Sequence, residues 1–419
     1  MRAKGLGEPN RNFWLGVYNG ILVHGGEAFF HNSLVLAPFI ATLGAPAWAI
    51  GMIPAVRTGG WYVPQLFVAS RLAHQPFKLP VYRRASTVRV AASLIMTLFV
   101  LLLGASPGIV IAVTLTTLAV SAVAGGVGGV PFADVTAKVV PHYRLGTFWA
   151  LRNAIGGVLA LLSGFVLSRV LDGNLPFPQD FGLVFGLGTL LTGAAYIAFA
   201  FVREPEGAVM LREPMLKMVG RVPAVIREDD SFRRYLRVRF LALTALLAEP
   251  FYAVYAITNL GASVTSLGGF VIVATFASIT MNFGLRRMAD RGNNVTILQL
   301  AMVLLTLAPL AAFLIRDPAF YVAVFALSAA GVSALEIAAW NLLYAVSPAA
   351  QRPLYVGVAN SVLALPSLTP VLAGALSAIV GFSTLFIAAS VLAATALAFS
   401  FRFVRLRDLD RAALSGPPR

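Results

Sequence analysis

Glu27, Arg57, Glu249 and Glu336 each stand near the middle of an apolar stretch long enough to cross a lipid bilayer. An ionisable side chain at that depth costs about 2.5–3.5 kcal/mol on insertion scales, so it is expected to face an internal cavity or a partner. Glu27 and Arg57 fall at matching depths of two consecutive stretches that run antiparallel, which predicts a buried ion pair. Such a pair either fastens two helices together or opens and closes with a solute or a proton. Glu249 and Glu336 have no base close by in sequence. Three carboxylates then oppose one arginine, an imbalance that leaves at least one of Glu249 and Glu336 awaiting a proton or a cationic partner.

Histidines extend this set. His24, Glu27 and His31 recur at i, i+3 and i+7 and share one stripe if the first stretch is a continuous helix. Imidazole carries a proton near neutral pH, and with carboxylate it also suits a divalent ion. Against a metal role, His24 and His31 are two helical turns apart, and Leu246 and Ala253 stand at the corresponding places of the seventh stretch. No metal site is therefore assigned. Trp61 lies on the Arg57 face, Tyr252 near Glu249, and Trp340 one turn from Glu336. They are suitable walls for a solute with apolar and polar parts, although helix packing is the commoner use of any one aromatic.

The elements that must position these residues follow from composition. Of 419 residues, 58% are hydrophobic and only 12% charged, more apolar surface than a polar exterior could cover. Twelve apolar stretches are placed near 12–37, 46–70, 86–104, 108–131, 149–171, 181–202, 235–260, 264–285, 295–315, 318–346, 354–379 and 382–403. Each covers the roughly 30 Å hydrocarbon layer as a helix. Basic residues gather at the termini and in alternate connections: Arg71, Lys78, Arg83, Arg84 and Arg89, then Lys138, Arg144 and Arg152, then 203–234, then Arg286, Arg287, Arg291 and Arg352. By the positive-inside rule, these connections and both termini are cytoplasmic, in a multi-pass protein of the plasma or cell inner membrane. The first stretch lacks a cleavage signature and is expected to be retained.

A repeat divides the chain. Gly26-Glu27-Ala28-Phe29-Phe30 returns as Ala248-Glu249-Pro250-Phe251-Tyr252, and Val139, Pro141, Phe148 and Asn153 return as Val346, Pro348, Tyr355 and Asn360. The order and topology of these matches predict two parallel six-helix bundles, 1–202 and 235–419, joined by a cytoplasmic linker 203–234. In that linker Met215, Leu216, Met218, Val219 and Val222 suggest a short surface helix or a simple tether. Asp229, Asp230 and Ser231 suggest a helix start capped at Ser231. Ala124 through Gly129 makes the fourth span smooth enough for close helix packing.

The formal charge of +15 lies in short juxtamembrane segments, where topology and anionic lipid account for it better than nucleic acid does. There is no cysteine, and no nucleophile–base set, metalloprotease helix or nucleotide loop appears. Neither an enzyme nor a cofactor is expected.

With this organisation, and with Gly284 followed by Ala289-Asp290-Arg291-Gly292 in the 8–9 connection, the chain resembles the major facilitator superfamily. The resemblance implies two six-helix halves that rock about a central cavity. It also implies a cytoplasmic gate in which Asp290 and Arg291 pair or cap across helix ends. The matching 2–3 connection, Ser70-Arg71 to Tyr82-Arg83-Arg84, keeps the positive charge but lacks the acid. The fifth span reads Ala154-Ile155-Gly156-Gly157-Val158, without the proline of many antiporters. The expectation is a monomeric secondary active transporter for a small organic solute, coupled to protons and driven by a gradient rather than by nucleotide hydrolysis. A divalent-metal transporter and a non-transporting membrane scaffold or sensor on the same fold are the alternatives.

Overall fold

A computed structural model describes residues 8–72, 75–102, 106–207, 225–348 and 352–401. The surface helix considered for Met215–Val222 and the two termini lie outside the described residues. The protein is built from α-helices. They are α1 (Glu8–Ala28), α2 (Ala37–Thr42), α3 (Ala47–Leu72), α4 (Leu79–Leu102), α5 (Pro107–Val139), α6 (Leu145–Leu171) and α7 (Gln179–Ala200). They continue as α8 (Asp230–Ala245), α9 (Tyr252–Leu260), α10 (Ser266–Asp290), α11 (Asn294–Leu314), α12 (Val322–Val346), α13 (Arg352–Leu363) and α14 (Thr369–Ser400).

Among the described residues, nine segments are long and apolar enough to cross a membrane. The last, Tyr355–Ser400, comprises two spans that meet at Gly381, whose φ of 78° breaks α14 where a side chain would be strained. α1 and α3, with Asn19, His24 and Glu27 in one and Arg57 in the other, complete the twelve. On α6 the apolar Val158, Leu162 and Phe165 recur at helical spacing and are all exposed, as lipid-facing residues must be.

The chain forms two compact units, Met1–Ala45 with Val56–Met215 and Val264–Ile272, and Pro46–Ala55 with Leu216–Ser263 and Val273–Arg419. In the first, α1 packs on α6 and α7, and α4 packs on α5 and α7. In the second, α8 packs on α14, and α11 packs on α12 and α14. Spans 3 and 4 of one unit thus pair as spans 9 and 10 do in the other. The first core gathers Phe13, Val17, Tyr82, Phe148 and Phe199; the second gathers Phe232, Leu298, Leu335, Leu342 and Tyr355. Phe148 and Tyr355, matched by the sequence repeat, therefore both serve as core residues.

Helix starts follow local chemistry. Pro107 opens α5, where its missing N–H costs nothing. Asp229, rather than Ser231, caps α8, its carboxylate accepting the Phe232 amide at 2.9 Å and the Tyr355 hydroxyl at 2.9 Å. The carboxylate wins because its charge also answers the positive end of the helix dipole.

Both copies of the repeated Glu motif sit where the α-helix gives way. α1 stops at Ala28, and a π-helical turn follows at Asn32–Leu36; in the other unit a 3-10 segment, Leu246–Phe251, separates α8 from α9. Pro250 explains the second break, since it cannot donate to the ladder. These interruptions place backbone that is not α-helical beside Glu27 and Glu249.

Candidate functional site

Arg57 reaches from α3 to the break after α1. Its guanidinium donates to the Phe30 carbonyl at 2.6 Å, to Asn32 Oδ1 at 2.9 Å and to a Glu27 carboxylate oxygen. One side chain so answers a carbonyl that the broken helix leaves unpaired, and a carboxylate that lipid would not tolerate. Arg89 of α4 stands 3.3 Å from the other Glu27 oxygen and lies over the Tyr196 ring at 4.8 Å. Glu27 is thus held by two arginines rather than one.

Three arginines correct the charge balance read from sequence. Arg89 and Arg152 were grouped with the cytoplasmic connections, but both project into the interior of the first unit. Arg239 of α8 pairs with Glu336, which had no base near it in sequence. The excess of acid expected inside the spans is therefore reversed: Glu27, Glu249 and Glu336 stand with Arg57, Arg89, Arg152 and Arg239. Glu249 also has an interaction of its own and is near enough to the buried Tyr252 to act on it electrostatically.

The histidine stripe does not form. His24 Nδ1 donates to the Gly20 carbonyl at 2.8 Å, one turn back in α1. His31 lies beyond the helix end in extended conformation and caps the π turn, its Nδ1 accepting the Leu34 amide at 3.3 Å. The i+7 spacing carries no meaning once the helix has stopped. Both imidazoles remain electrostatic neighbours of Glu27. Among the described residues, no group of three His, Asp or Glu side chains could hold a metal ion.

Trp61 of α3 lines the cavity beside Glu27 and Arg57, its indole lying on α5. Tyr252 is buried against Phe386, with ring centroids 5.6 Å apart, and Trp340 is partly exposed beside Tyr344 at 6.0 Å. Asp290 is the last residue of α10 and, with Arg291, is exposed. Gly292 at φ 67° turns the chain, its amide bonded to the Ala289 carbonyl at 3.0 Å. The 8–9 connection is thus a left-handed helix stop, which only glycine enters without strain.

A charge cluster at the ends of α4, α5 and α7 was not legible in sequence. The acid missing from the 2–3 connection is supplied from elsewhere: Asp134 of α5 pairs with Lys78 and with Lys138 at 2.8 Å, and Glu204 pairs with Lys138 at 2.8 Å. Glu204 also accepts the Lys78 and Leu79 amides at 2.9 and 2.8 Å, capping α4 from outside its own sequence neighbourhood.

The architecture is that of the major facilitator transporters. Over 97% of this chain and 99% of the other, it matches a bacterial homologue of the human lysosomal transporter Spinster, with a TM-score of 0.68 and 14% identity. The nucleoside transporter NupG matches over 94% and 99% with a TM-score of 0.72 and 10% identity. A D-xylose-proton symporter matches over 96% and 99% with a TM-score of 0.70 and 12% identity. No protein-family model matches the sequence, and no curated protein matches it significantly.

Proposed function

We propose that this protein is a secondary active transporter of the plasma membrane that moves a small organic solute by alternating access, coupled to protons. It acts as a monomer, with both termini in the cytoplasm, and performs no covalent chemistry. The observation that carries the reading is the Glu27–Arg57–Arg89 group. Its charges are part-buried at membrane depth beside a cavity, in a fold whose solved examples include a nucleoside transporter and a D-xylose-proton symporter. Charges maintained there at a cost of several kcal/mol are expected to serve a polar cargo rather than packing alone.

In this reading Glu27, Arg57 and Trp61 contact solute, with His24 and His31 holding the backbone around them. Asp290 and Arg291 form a cytoplasmic gate that closes on a neighbouring helix end. Glu249 is the proton carrier, because it is a half-buried carboxyl at a break in its helix. Glu336, held by Arg239, and Trp340 and Tyr252 complete the working set on the second unit.

The coupling role is tested by uptake into proteoliposomes across an imposed pH gradient. Wild-type uptake should follow the gradient and fall when an ionophore collapses it. Glu249→Gln should abolish that dependence while leaving exchange without a gradient. A variant whose pH profile matches wild type would remove Glu249 from the coupling step.

A further inference from the structure

The first unit holds two neighbouring cavities that share Trp61, Arg89 and Tyr196 as walls. One, of about 140 Å³, contains the Glu27–Arg57 pair. The other, of about 230 Å³, is bounded by Arg89, Arg152, Tyr82, Phe132 and the glycine-rich face of α5. Among the described residues, Glu27 is the sole acid lining either space, against Arg57, Arg89 and Arg152. The combined site carries a surplus of positive charge.

Arg152 is the unusual member. It is 6% exposed and forms no ion pair among the described residues. Its NH1 donates to the Gly16 carbonyl and, at 3.1 Å, to Asn19 Oδ1, while its Nε has no acceptor. Phe132, Phe148 and Trp149 surround it at 5.1–5.2 Å, giving partial cation–π compensation. The Nε of Arg89 is likewise buried without an acceptor. Arg57 and Arg239 each hold a carboxylate, whereas Arg152 holds none and Arg89 only shares Glu27 at 3.3 Å, so the chamber that Arg89 and Arg152 line has more cationic charge than its own residues answer.

Glycines make room for both the guanidinium and the indole that wall this cavity. A Cβ at Gly20 would collide with Arg152, at 2.5 Å from its Cζ, so only glycine lets the cation lie against α1. A Cβ at Gly125 or Gly129 would stand 3.0 or 3.2 Å from the Trp61 ring, so these glycines seat the indole flat on α5. The second cavity therefore joins a cationic end to flat aromatic and glycine surfaces.

We infer that this chamber binds an organic anion, its carboxylate or phosphate held by Arg152 and Arg89 and its planar apolar body laid between Trp61, Tyr82 and the glycines of α5. The inference rests on the transporter reading and names the substrate class of that site.

The test is thermal unfolding of the purified full-length protein with 2-naphthoate, 2-naphthyl phosphate, 2-naphthamide, 2-naphthylmethylamine and inorganic phosphate. The first two share the proposed chemistry, and comparing them decides between carboxylate and phosphate. At least one should stabilise the protein saturably, with the amide about tenfold weaker or worse and the amine without effect. Arg152→Gln should weaken the favoured anion by about tenfold or more. Glu27→Gln, which removes the competing carboxylate, should tighten it and be stabilised by it more than wild type is.

Equal binding of amide or amine, a match by inorganic phosphate alone, or a folded Arg152→Gln protein with wild-type affinity would overturn the inference. If Arg152→Gln does not fold, Glu27→Gln decides, and unchanged or weaker anion binding counts against it. Anion binding without flux would defeat the transporter reading and leave this site standing; flux of a solute with no anion preference would do the reverse.

Discussion

Glutamine at Arg57 will destabilise the protein by about 3 kcal/mol, the low end of the cost of breaking a buried ion pair, because this pair is only part-buried. Two losses combine. Of its two arginines Glu27 keeps Arg89, at 3.3 Å, and the Phe30 carbonyl at the end of the broken α1 loses its Arg57 donor. Adding Glu27→Gln should restore part of the stability, because the uncompensated carboxylate is gone. Recovery stays incomplete, since the Phe30 carbonyl remains unserved and Arg89 loses its acid. Thermal unfolding of the two single variants and the double variant in detergent measures the coupling. An Arg57→Gln protein that melts with wild type would show that the pair is not formed.

Alanine at Glu204 will cost a similar amount, about 3 kcal/mol. The Glu204 side chain is only 3% exposed and serves the Lys78 and Leu79 amides and the Lys138 ammonium at once. Its loss uncaps α4 and leaves Lys138 to share Asp134 with Lys78. Glu204→Gln, which keeps an acceptor for the amides, should fall between wild type and alanine. Hydrogen exchange across residues 75–82, with melting temperature alongside, reads the effect. Unchanged protection in the alanine variant would contradict the capping role.

Much of the architecture was legible because lipid imposes a simple rule: twenty or so apolar residues make a span, and basic residues mark alternate ends. The Glu27–Arg57 pair was legible too, since antiparallel neighbours place mid-span residues at one depth. What escaped was rotation about the helix axis. Arg89 and Arg152 lie close enough to span ends that counting charge assigned them to connections, whereas α4 and α6 turn them inward. Arg239 escaped for the same reason, and Glu336 was left without its partner because α8 is distant in sequence. His31 was misread because periodicity assumes an unbroken helix, and the π turn after Ala28 resets the register. Glu204 was invisible as a cap because the helix it serves begins more than a hundred residues earlier. The offset repeat did carry one local signal forward, as both Glu27 and Glu249 border a break.

The corrected charge balance narrows the proposed cargo from a small organic solute to an anionic one. Uncompensated acids would suit a cation, whereas Arg89 and Arg152 around an aromatic chamber suit an anion. An anion that enters with one proton also crosses without net charge. It then avoids the roughly 2.3 kcal/mol that each uncompensated charge meets per 100 mV of membrane potential. Glu249 as proton carrier and Arg152 as anion anchor would in this way divide the work between the two units.

Counterflow in proteoliposomes tests most directly whether the chamber carries its ligand across the bilayer. Vesicles preloaded with unlabelled naphthoate, or with whichever anion binds best, are diluted into a trace of the labelled compound with no ion gradient. The account predicts a transient accumulation of label that the protein-free vesicles lack and that Arg152→Gln loses. Saturable binding to the purified protein with no accumulation in the vesicles would contradict it, and would make the protein a sensor or scaffold.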